Sequence, residues 1–332
     1  MRRFILPLLV LAAIVPAQEV WAQAAAISVS IPPTGRANGM GEAYVAVADD
    51  VTATWWNPGG LGFLTQKEVS VTYAKLVPGL ADDVFYTYPT YAMPVKDWGT
   101  FGFGLVYLSY GTSEGTDQSG NPLGSFTSYE IAPTLSYGTK IGDDLGVGAN
   151  FKYIRVQLSP DFDGRGEGKG STFAFDIAGL YKVPGDLVNV GLAIQNLGGS
   201  LSFITDDNED PIYRNLKFGV AVNAYEKNQF KAIAIGDVNQ LLVKGDVVDG
   251  ESSYPRPIYN FGAEVAYASE VELALRGGYV LDKDGDIEDP TYGLGVGYKT
   301  FQFDLASIPQ AGGDGPGEGL ERVTKFSLGA RF

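Results

Sequence analysis

From residue 68 to residue 332, apolar and polar positions alternate in short runs separated by Gly, Asn and Asp. Val271, Leu273, Leu275 and Tyr279 share one parity, while Glu272 and Arg276 take the other. Tyr292, Leu294, Val296 and Tyr298 alternate with Gly293, Gly295 and Gly297; Phe301, Phe303 and Leu305 alternate with Gln302, Asp304 and Ala306. A period of two puts successive side chains on opposite faces of a strand. Each run therefore predicts a strand with one apolar face and one face of Gly or charge.

About 14 such strands are expected, near 68–76, 83–95, 98–110, 125–140, 144–158, 170–183, 187–197, 213–226, 229–240, 256–268, 270–281, 290–299, 300–308 and 322–332. The connections alternate in kind. Those at 96–97, 141–143, 184–186, 227–228, 269 and 299–300 are short, whereas 111–124, 159–169, 198–212, 241–255, 282–289 and 309–321 are long and polar, and 77–82, of intermediate length, falls on their side. Tight turns at one end and long loops at the other describe an all-β fold, a 14-stranded antiparallel transmembrane β-barrel in an outer membrane. Both chain ends then fall on the tight-turn side, with periplasmic termini and extracellular loops. A soluble sandwich or propeller also alternates, but here no second sheet is left to cover the apolar faces and no blade-length repeat occurs. Tyr73, Tyr107, Tyr110, Tyr153, Tyr225 and Tyr267 lie near strand ends and fit interfacial girdles.

Residues 1–22 read as an export signal: Arg2 and Arg3, an apolar stretch from Phe4 to Val15, then Val20 and Ala22 before a cleavage point. Residues 23–67 precede the strands and 68–332 form the barrel. No later stretch is apolar over the length a spanning helix needs, so a membrane form must be a barrel. Acidic residues outnumber basic ones, 39 to 24, and no basic stripe suited to nucleic acid is present. Cys and His are both absent. Disulfides, thiol nucleophiles, His-dependent triads and His-ligated zinc are thereby excluded, and neither an enzyme nor a cofactor site is expected.

The segment before the strands has another character. Small residues from Ala37 to Ala48 predict a short, tightly packed helix, Asp49 and Asp50 a cap or turn, Val51 to Trp56 a second helical turn, and Asn57 to Gly60 a terminating loop. A compact apolar piece ahead of a wide barrel reads as a plug in its lumen. The residues Gly35, Arg36, Ala37, Gly39, Met40, Gly41, Ala43, Tyr44, Val45, Ala46, Ala48, Asp49 and Asp50, followed by Trp56, Asn57, Pro58, Gly59, Gly60 and Leu61, resemble the N-terminal region of the PorV/PorQ family. The resemblance extends to residues 275–279, 292–298 and 326–332 and is weak through the middle loops. Gly59 stands where family members usually carry Ala, which leaves the turn chemistry intact. The resemblance implies a FadL-like barrel with an N-terminal plug. FadL-like barrels pass hydrophobic compounds through a lateral opening. PorV serves type IX secretion, receiving cargo with C-terminal signal domains.

Other motifs carry two readings each. Phe326, Leu328 and Phe332 alternate to the chain end and resemble the signal read by the barrel-assembly machinery, although any closing strand would look the same. Asp282, Asp284 and Asp286 set carboxylates at alternate positions as a calcium loop does, but without the full loop or its bidentate Glu; an acidic Asp-Gly hairpin is the plainer reading. The acidic run 206–210 reads likewise. Pro89 and Pro133 each remove a ladder hydrogen bond, marking either a lateral gate or a local bulge. Trp55 and Trp56 suit plug core better than ligand stacking. The expected function is a PorV/PorQ-type role, presenting or shuttling cargo at the cell surface; the alternative is a FadL-like channel for hydrophobic small molecules. Expected partners are outer-membrane lipid, the assembly machinery, type IX components and cargo C-terminal domains, with no nucleic acid.

Overall fold

A computed structural model describes residues 25–117, 119–161, 167–185, 187–203, 209–244, 254–310 and 322–332. The signal-segment residues 1–22, and 206–208 of one acidic run, lie outside them. Among the described residues, sixteen strands follow an N-terminal segment. They are β1 Glu68–Lys75, β2 Val84–Val95, β3 Gly99–Thr116, β4 Pro122–Ile141, β5 Leu145–Ser159, β6 Gly168–Lys182, β7 Val188–Gly198 and β8 Ser200–Leu201. β9 Asp210–Pro211, β10 Asn215–Lys227, β11 Phe230–Leu241, β12 Ile258–Tyr267, β13 Val271–Asp282, β14 Ile287–Tyr298, β15 Phe301–Ile308 and β16 Val323–Arg331 complete the set. β8 and β9 pair only with each other; the other fourteen form one closed antiparallel barrel, shut where β1 meets β16.

Alternation decides which way each side chain faces. In β1, Val69 and Val71 are 41% and 42% exposed on the outside, whereas Thr72 between Val71 and Tyr73 is fully buried. The outer face carries Phe103, Leu135, Phe173, Phe261, Leu275, Leu294, Phe326 and Leu328, all exposed. In water such a belt would cost on the order of 25 cal/mol per Å² of apolar surface; against hydrocarbon it does not. No helix among the described residues is long and apolar enough to cross a membrane, so the strands do the crossing.

Two of the expected loops are not loops. β3 and β4 run on through much of 111–124, and the connection is closed by Asp117, whose carboxylate accepts Ser119 N at 2.8 Å and Asn121 Nδ2 at 2.7 Å. Residues 282–289 shrink to a tight turn, because β13 and β14 stay paired out to Asp282 and Ile287. Gly and Asp there mark a hairpin turn rather than a long excursion.

The two ends of the described chain, Ala25 and Phe332, lie on opposite sides of the barrel. Phe332 lies on the tight-turn side, exchanging backbone hydrogen bonds with Lys67. Ala25, however, bridges Ile212 beyond the other end of β10, on the long-connection side. Residues 25–33 therefore enter the lumen from the loop end, and the plug descends through it to β1. Strand parity carries no information about where a segment outside the strands begins, so it could not place Ala25.

Candidate functional site

The plug is less helical than its small residues suggest. α1 (Gly35–Gly39) stops after five residues, residues 40–52 turn irregularly, α2 (Ala53–Trp56) follows, and Pro58–Phe63 forms a 3-10 helix. The reason lies in the wall. A Cβ on Gly39 would stand 2.8 Å from Gly293 Cα, and Gly41, at φ +66°, has no room for one beside Phe261 O and Tyr279 N. Glycines there let the plug backbone lie directly on β12–β14. Met40 between them is fully buried.

Beyond α2, Asn57 is a buried junction: Nδ2 donates to Val45 O at 2.8 Å and to Gly179 O at 3.0 Å, and Oδ1 accepts Gly59 N at 3.0 Å. Pro58 rests on Gly138 and Gly148, and Gly60 lies against Ala48 O. Trp55 and Trp56 meet edge to face at 4.6 Å, with Tyr44 5.7 Å from Trp56 and Lys217 Nζ over both indoles at 4.7 and 4.8 Å. They are plug core, as expected.

Polar side chains from all round the barrel grip the plug backbone. Glu68 accepts Val51 N at 2.8 Å, and Glu130 accepts Ser28 N at 2.8 Å. Asn150 donates to Thr54 O, Gln195 to Trp55 O and Asn260 to Gly41 O, at 2.6–2.9 Å. Asp237 Oδ2 accepts both Tyr44 N and Val45 N, and Ser327 Oγ accepts Gly35 N. Each bond of this kind contributes about 1 kcal/mol net, and those to charged groups roughly 1.5–3 kcal/mol.

Asp50 forms the expected turn into α2, its carbonyl accepting Ala53 N at 2.9 Å, and together with Asp49 it also belongs to an ion network. Arg36 Nη1 pairs with Asp49 at 2.6 Å, and its Nε and Nη2 fork onto Glu264 at 3.0 and 2.9 Å. Glu264 also takes Arg276 Nε at 2.6 Å, and Arg276 Nη1 reaches Asp304 at 2.7 Å. Asp50 accepts Tyr44 OH at 2.7 Å and Thr52 N at 2.8 Å. Burial alone would raise the Asp50 pKa, but Arg36 with the Thr52 and Tyr44 donors outweighs it and holds Asp50 below the ordinary Asp value. Burial likewise opposes the Arg36 charge, yet Asp49 and Glu264 raise it well above the usual value.

On the tight-turn side the plug floors a vestibule of about 560 Å³ that includes Arg36, Asp49, Lys182, Lys231, Glu272 and Arg331. On the loop side a cavity of about 40 Å³ is lined by Glu42, Trp55, Asn215, Lys217, Asn239 and Asn260. Burial pushes the Glu42 carboxyl up, against the pull of Lys325 and Lys217. The apolar half of the loop-side lumen is occupied by the chain itself: Tyr86, Tyr88, Val106 and Ile154 pack with Val29, Ile31, Leu201 and Ile212.

The remaining motifs fall elsewhere. Pairing of β2 with β3 lapses between Thr87 and Thr90, at Pro89, and pairing of β4 with β5 lapses between Ile131 and Thr134, at Pro133; register is unchanged across both. Both prolines stand level with Leu105 on β3. Asp282, Asp284 and Asp286 do not converge: Asp284 is bound to Arg256 at 2.5 Å, Asp282 accepts Gly285 N, and no metal-ligating trio occurs among the described residues. Phe326 and Leu328 face outward on β16, and Phe332 is exposed just past its end. Missed altogether were Glu130, Lys217, Asp237, Glu264 and Lys325. The available signal was their charge on the inward parity of otherwise apolar strands.

A family model described as type IX secretion system protein PorV matches residues 17–247. No curated protein matches the chain. A Pseudomonas aeruginosa FadL homologue of known structure is 14% identical over 91% of this chain and 98% of that one, at a TM-score of 0.51. The Pseudomonas putida toluene transporter TodX is 14% identical over 91% and 97%, at 0.54. The Ralstonia pickettii toluene transporter TbuX is 14% identical over 91% and 99%, at 0.55. At such identity the likeness establishes the shared barrel fold and nothing finer.

Proposed function

The chain belongs to the type IX secretion system PorV family, and from that membership we propose that it presents or shuttles type IX cargo at the cell surface. The role is non-catalytic. The long connections face outward and meet the cargo with its C-terminal signal domain, while the tight turns face the periplasm. The observation that supports this reading over a conduit is the filled lumen: the loop-side apolar space is occupied by the chain's own residues, above a plug whose backbone is held by wall side chains on β1, β4, β5, β7, β11, β12 and β16. A barrel built as a platform needs its lumen sealed and its rim displayed.

Deletion of the gene tests the proposal. Loss of surface display, with cargo retained in the periplasm, is the expected phenotype; normal display with impaired uptake of hydrophobic compounds would overturn it. The second reading, a FadL-like channel for hydrophobic small molecules, draws on one feature. The pairing lapses at Pro89 and Pro133 weaken the wall at one height, where a lateral gate would need it weak.

A further inference from the structure

The seam between β1 and β16 is short, with seven residue pairs from Glu68↔Arg331 to Ala74↔Lys325. Two side chains at this seam each serve two purposes. Ser327 Oγ accepts Gly35 N of the plug at 2.8 Å and bonds Thr72 Oγ1 across the seam at 2.9 Å. Glu68 accepts Val51 N of the plug at 2.8 Å through one oxygen and pairs with Arg331 across the seam at 3.1 Å through the other. Lys325, almost fully buried, adds bonds from β16 to Pro32 O at 2.5 Å and Asn38 Oδ1 at 3.0 Å.

We propose that seating of the plug and closure of the barrel are one step, with the plug acting as the clasp that joins the first strand to the last. β16 is suited to this by its alternation. Its outward residues Phe326 and Leu328 lie on the lipid face, while its inward residues Lys325 and Ser327 receive α1. The plug docks on the inward face of β16 while the barrel is open. Val51 N then offers Glu68 a partner only when β1 lies beside β16. Apart from the plug, the side-chain partner of Glu68 among the described residues is the half-exposed Arg331, a pair of a kind that contributes little in contact with water.

The test compares two double variants, each removing three bonds to the plug. Lys325→Met with Ser327→Ala removes bonds at the seam, to Gly35, Pro32 and Asn38, and with them the Thr72 bond across it; Thr72→Val, which removes only the cross-seam bond, should fold within twofold of the parental rate, and slowing equal to that of the seam variant would overturn the proposal. Asp237→Ala with Asn260→Ala removes bonds to Tyr44, Val45 and Gly41, far from it. Refolding of the full chain from urea into phosphatidylcholine vesicles is followed by heat-modifiable mobility. The seam variant should acquire the folded form at least ten times more slowly and the distal variant within twofold of the parent, with thermal midpoints lowered alike. Equal slowing of both, or of neither, would overturn the proposal. Ser327→Thr, which keeps the hydroxyl, should fold at the parental rate even if the double variant never folds; a rate as slow as that of Ser327→Ala would also overturn it.

Discussion

Replacing Arg36 with Met removes the cation at the centre of the plug network. Glu264 would keep Arg276 at 2.6 Å, and Asp50 would keep its Tyr44 and Thr52 donors. The Asp49 pair is 43% exposed on the acid side, so its share is under about 1 kcal/mol. What is lost is the fork onto nearly buried Glu264, which places the cost at about 3 kcal/mol, the low end for breaking a buried pair from one side. That is roughly a 150-fold rise in the unseated fraction of the plug, at about 1.4 kcal/mol per tenfold. The chain has no cysteine, so Ala46→Cys, at a fully buried plug position, supplies a single thiol reporter. In the Arg36→Met background its labelling by a maleimide should rise on the order of 100-fold, with the unheated protein still migrating as the folded barrel. A rise below threefold would refute the idea that this network holds the plug.

Three further outcomes are expected. Gly41→Ala forces a side chain onto a backbone at φ +66° facing Phe261 O, so labelling of the same reporter should exceed that of Arg36→Met; an unchanged rate would contradict the close plug–wall approach. Because the folded protein holds Asp50 below its ordinary pKa, its contribution to seating is complete above about pH 4 and is lost as pH falls through the lowered value. The difference in fluorescence of Trp55 and Trp56 between the parent and Asp50→Asn should be constant from pH 8 to 5 and shrink only below about pH 4; a difference that vanishes near neutrality would contradict the sign. Pro133→Val restores the donor missing opposite β5. Surface display of cargo should then stay within twofold, whereas slowed hydrophobic uptake with display unaffected by gene deletion would favour the channel reading.

The barrel was legible because lipid outside and a polar interior impose a period of two that survives residue by residue, as in β14 and β16. Turn chemistry was legible less far. Gly and Asp at 282–289 look alike in a long loop and in a tight hairpin, and only the pairing of Asp282 with Ile287 distinguishes them. The plug motif was visible as a cluster of small residues, but its helix was overextended, since nothing local announces that Gly39 and Gly41 lie against β12–β14. The Arg36–Glu264–Arg276–Asp304 chain was not legible at all. Arg36 and Glu264 are 228 positions apart, and their meeting depends on strand register and on the depth at which the plug sits. Ala25 at the loop end was missed for the same reason.

A photo-crosslinking residue at Leu80, exposed between β1 and β2, or at Tyr254, exposed in the long connection before β12, would test the surface role most directly when placed in the native cell. A covalent adduct with a type IX cargo protein or secretion component is the expected product. Adducts with neither, in cells where the barrel is assembled and secretion is active, would contradict the platform role.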